Sequence, residues 1–65
     1  MTNTIRKYIN TRKAQLQNDL SQARHQQASI DPMEKPDINV WLLIRQAKAE
    51  AKIDAYNSIL EMLGN

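Results

Sequence analysis

The sequence predicts an all-α fold, an antiparallel two-helix hairpin that dimerises into a four-helix bundle. Three observations carry that expectation. The strong helix breakers inside the chain, Pro32 and Pro36, fall near its midpoint and leave two stretches of similar length. In both stretches apolar residues recur at three- and four-residue spacing, with no strand-like alternation. The chain has 65 residues and no Cys, so neither a disulfide nor a thiolate metal site staples it. A single core of this size rarely supplies more than about 3–5 kcal/mol, which makes a second copy the natural source of further burial.

The whole chain, residues 1–65, reads as one helical-hairpin domain. The first helix is expected over residues 4–29, with Thr2 or Thr4 offering a hydroxyl to the free amides of its first turn. At 100° per residue, Ile5, Tyr8, Ile9, Leu16, Leu20, Ala23 and Ile30 collect on one narrow stripe. Between Gln17 and Gln27 that stripe holds only Leu20 and Ala23, so the glutamine-rich second half is expected to be the more weakly held. A loop follows over residues 30–37. There the prolines lack amide hydrogens and bias the residues before them toward extended geometry. Asp31-Pro32-Met33-Glu34 resembles a capping box cut short by Pro36, which predicts a single helical turn inside the loop.

The second helix is expected over residues 38–63, beginning between Pro36 and Ile38, capped by Asp37 and closed by Gly64. It carries two apolar stripes on nearly opposite sides. One holds Ile38, Leu42, Ala49, Ile53, Tyr56, Leu60 and Leu63; the other holds Val40, Ile44, Ala47, Ala51, Ala55, Ser58 and Met62. Trp41 and Leu43 fill the flanks, so the turn from Val40 to Ile44 is apolar all round.

In an antiparallel hairpin, facing residues have numbers that sum to a constant. Arg6 with Glu61, Lys13 with Asp54 and Asp19 with Lys48 all have opposite signs and a sum of 67. Exposed pairs are worth about 0.2–1 kcal/mol each, so they select register rather than supply stability. That register predicts a hairpin core of Ile5, Ile9, Leu16, Leu20, Leu42, Ala49, Ile53, Tyr56, Leu60 and Leu63. The stripe of Val40, Ile44, Ala47, Ala51, Ala55, Ser58 and Met62 then faces away, and its small residues allow close helix approach. It is the expected dimer interface. Lys48 and Lys52 flank one edge of that stripe, with Glu50, Asp54 and Glu61 toward the other, so parallel pairing brings opposite charges together. The plainer alternative is that the Ala residues are only good helix formers on a solvated face.

Catalysis or metal binding needs convergent groups, and one His with seven scattered carboxylates does not supply them. His25 lies among Arg24, Gln26 and Gln27 on the polar side of its helix. Asp54 and Glu61 are better explained as ion-pair partners than as an acid pair, and Ser21, Ser29 and Ser58 have no sequence motif around them that supplies an activating base. No catalytic residue, metal, cofactor or small-molecule substrate is expected, and the chain is not expected to be an enzyme. The longest apolar run, Val40 to Ile44, falls far short of the roughly 20 residues of a bilayer span. No apolar stretch follows Arg6 and Lys7 as in a secretory signal, so a cytoplasmic protein without membrane contact is expected.

The expected function is a small non-enzymatic protein-protein interaction module acting as a homodimer: an adaptor, inhibitor or accessory subunit of a kind suited to a phage or plasmid. The second reading is a dimeric RNA- or DNA-binding regulator. Residues 1–30 carry five basic groups against one acidic, whereas residues 31–65 carry four against six. Arg12, Arg45, Lys48 and Lys52 form a basic edge that tracks a phosphate backbone under this reading, with Trp41 as a stacking platform. Trp41 also stands four residues before Arg45, which predicts a local cation-π contact needing no ligand.

Overall fold

The computed structural model describes residues 2–64. It contains two helices, α1 (Thr2–Ala28) and α2 (Pro36–Met62), folded antiparallel about a short loop into an all-helical hairpin of 50 × 15 × 12 Å. Each helix has 27 residues, more than the roughly 12–15 at which isolated helices become marginal in water. The packed faces supply the remaining stability.

The loop is shaped by Asp31. Its carboxylate accepts from the Met33 amide at 2.9 Å, while its carbonyl accepts from the Glu34 and Lys35 amides at 3.1 and 3.0 Å. That is the single turn expected within the loop, held by an Asx contact. At the exit of α1 the Ser29 amide and hydroxyl both donate to the Gln26 carbonyl. Pro36 opens α2, where a missing amide hydrogen costs nothing. Asp37 is therefore not the cap. Lys35 occupies the N-cap position without a side-chain hydrogen bond, and Asp37 sits in the first turn, where its charge favours the helix dipole. Thr4 likewise lies inside α1 rather than ahead of it, because the helix already runs from Thr2. At the other end of α2, the Leu63 amide donates to the Ile59 carbonyl and Gly64 adopts φ 82°, the left-handed conformation that glycine tolerates.

The core is a single seam. Ile9, Leu16, Ala23, Leu42, Ala49 and Leu60 are buried, and Leu42 is the largest side chain fully withdrawn from solvent. Leu20, Ile53, Tyr56 and Leu63 are half-buried along the same seam. Ile5 departs from its expected core position and stays 45% exposed. The physical reason is its place at the open end of the hairpin. The Arg6 guanidinium donates to the Leu63 carbonyl at 2.8 Å, which sets the start of α1 beside the end of α2, and Ile5 lies a turn beyond Ile9, the first buried residue of the seam. Ala23, absent from the expected core, is fully buried where the small side chain lets the helices close.

Candidate interaction surface

With one face of α2 turned to α1, its opposite face has no neighbour among the described residues. Val40, Ile44 and Met62 are 52%, 49% and 78% exposed, and Ala47, Ala51, Ala55 and Ser58 between them are exposed as well. No charged residue interrupts this row of seven. Trp41 and Leu43, on its two flanks, are 57% and 45% exposed, so of the turn from Val40 to Ile44 only Leu42 is covered by α1. Contiguous apolar surface of this kind marks interaction sites on small soluble domains. Ser58 turns its hydroxyl inward and donates to the Asp54 carbonyl, so it presents little polarity of its own.

The edges beside this face are charged, with pairing different from that expected. Arg24 bonds Glu50 at 2.9 Å and Arg45 approaches Asp19 at 3.9 Å. The expected pairs Arg6 with Glu61, Lys13 with Asp54 and Asp19 with Lys48 are not formed. Long side chains reach about a turn in either direction, so Asp19 meets Arg45 instead of Lys48, and Arg6 caps the α2 carbonyl end instead of meeting Glu61. That cap places positive charge at the negative end of the α2 dipole. It also leaves the Arg6 Nε buried without a hydrogen-bond partner among the described residues.

The basic edge is only partly free. Arg12 donates to Gln15 at 2.8 Å, and Arg45 lies over the Trp41 ring at 5.7 Å while reaching toward Asp19. Lys48 and Lys52 are exposed and make no ion pair or hydrogen bond among the described residues. They line a shallow groove between the helices together with Leu16, Asp19, Arg45 and Ala49.

Near the loop, α1 and α2 meet through amides. Gln46 Nε2 donates to Gln27 Oε1 at 2.6 Å, and Gln27 Nε2 donates to Asn39 Oδ1 at 3.2 Å, with all three residues half-buried. The sequence signal for this cluster is position, since Gln27 stands four residues after the buried Ala23 on the inward stripe. Reading only apolar residues into that stripe misses it. His25 is exposed, and among the described residues no group of three His, Asp or Glu is placed to hold a metal ion. No helix among them is long and apolar enough to cross a membrane.

Compared with protein-family models, curated proteins and solved structures, the chain matches none of them.

Proposed function

We propose that this hairpin is a non-enzymatic protein-protein interaction module that works as a homodimer in the cytosol, pairing through the outer face of α2. One observation carries the reading: seven consecutive positions of that face, from Val40 to Met62, are exposed and uncharged, with Trp41 and Leu43 exposed beside them. The α1–α2 contact satisfies only one of the two apolar faces of α2. A second α2 is a self-complementary occupant, because an isologous contact buries the same stripe on both copies and closes the assembly. The resulting four-helix assembly leaves the glutamine-rich surface of α1 outward, where it is available to a protein partner.

Placing a charge in the centre of the stripe tests this. Ala51→Glu is expected to convert a dimer to a monomer in sedimentation equilibrium while leaving helical circular dichroism intact, since Ala51 does not touch the hairpin seam. An unchanged mass would refute the interface. Nucleic-acid binding is the second reading, supported by Lys48 and Lys52 alone, because Arg12, Arg45 and Trp41 already have partners within the chain.

A further inference from the structure

Resting on the homodimer reading, we infer that the four helices pack in a single flat layer, in the order α1–α2–α2–α1, with the two central helices parallel. A square bundle is the usual way to join two hairpins, and it requires each helix to present contact faces roughly a quarter-turn apart. Here the faces of α2 lie half a turn apart. Stepping 100° per residue from the buried Leu42, Ala51 falls at 180°, while Lys52 falls 80° to one side and Glu50 80° to the other. Burying either quarter-turn side would strip water from lysines or carboxylates that have no room to find partners in an apolar core. Only the half-turn face is free of charge.

The count of apolar faces also explains why such a layer stops at four helices. The outer face of α1, which carries Lys7, Asn18, Ser21 and His25, is polar and exposed and offers nothing for a further helix. α1 therefore has one contact face and α2 has two. A row that begins and ends with α1 satisfies all of them.

Charge complementarity sets the direction of the central pair. In a parallel pair the opposite edges of the two helices meet, which sets Lys48 and Lys52 of one copy beside Asp54 of the other, on the edge where Glu50 already pairs with Arg24 of its own chain, twice over by symmetry. The same arrangement lays the exposed Trp41 flank of one copy beside the exposed Leu43 flank of the other at the loop end. An antiparallel pair centred on Ala51 brings lysines to lysines and carboxylates to carboxylates.

Small-angle scattering combined with light scattering separates the arrangements. One hairpin has a radius of gyration of 14.9 Å. With helix axes about 8–10 Å apart, a layered dimer has a radius of gyration of about 17–18 Å and a square dimer about 15–16 Å. A dimer in the larger range supports the layer. A dimer in the smaller range overturns the layer while leaving the homodimer intact, and a monomer overturns both. Because the chain has no Cys, a single Ser58→Cys variant reports direction: ready oxidation to a disulfide-linked dimer supports parallel pairing. Cross-linking only when Ser58→Cys is mixed with Ile44→Cys overturns it.

Discussion

Leu42 and Leu43 are adjacent leucines with opposite surroundings, 1% and 45% exposed, and truncating each to Ala reads out the orientation of α2 directly. Removing a buried leucine costs about 2–5 kcal/mol, because the transfer energy is lost and a cavity remains. A small domain with one core holds only about 3–5 kcal/mol, so Leu42→Ala removes most of the stability of the hairpin. At about 4–8 °C per kcal/mol for a domain of this size, a loss near 3 kcal/mol lowers the midpoint by about 12–24 °C. Leu43→Ala leaves no enclosed cavity and gives up roughly half of a leucine's burial, about 1 kcal/mol. Thermal melts followed by circular dichroism at one protein concentration make the comparison, since association adds stability by mass action. If the two variants melt together, or if Leu42→Ala costs less than about 1 kcal/mol, the inward face of α2 has been misassigned.

Other perturbations separate the smaller contributions. Gln27→Ala leaves Gln46 and Asn39 with one hydrogen bond fewer each in a half-buried site, and is expected to cost about 1 kcal/mol in urea unfolding; no loss would mean that water replaces the amide cluster freely. Arg6→Met removes the bond to the Leu63 carbonyl and the charge at the α2 terminus, so hydrogen exchange should quicken in the last turn of α2 and stay unchanged around Leu42. Arg24→Ala breaks an ion pair whose side chains are more than half exposed, and should cost less than about 1 kcal/mol, with the loss disappearing in high salt. Replacing both Lys48 and Lys52 by Glu should leave any residual nucleic-acid retention unchanged under the interaction-module reading, whereas its abolition would favour the regulator.

Much of this architecture is legible because helical periodicity and proline placement act locally. Pro32 and Pro36 divide the chain, and the spacing of Leu42, Ala49 and Leu60 marks the buried seam without knowledge of what faces it. The register is legible only to within a turn. Opposite charges point to a sum of 67, whereas the side-chain contacts that form scatter about it, Asp19 with Arg45 at 64, Arg6 with Leu63 at 69 and Arg24 with Glu50 at 74. Flexible cations reach several partners, so opposite signs at matching positions do not determine which pair closes. Ile5 departs from the pattern for a related reason: periodicity places it on the stripe, but whether the partner helix covers that end depends on the register. The amide cluster of Gln27, Asn39 and Gln46 is not legible in hydrophobic patterning, which assigns no inward role to a polar residue, although its angular position is as informative as that of a leucine.

Under the proposed function, a second copy covers the exposed outer face of α2. Light scattering on the unmodified chain at two protein concentrations, in low and in high salt, with the absorbance ratio checked for bound nucleic acid, decides whether it does. A dimer mass of about twice 7.5 kDa that persists in high salt and carries no nucleic acid is the expected result. A mass of one chain at both concentrations, or a larger species that sheds nucleic acid as salt rises, would contradict it.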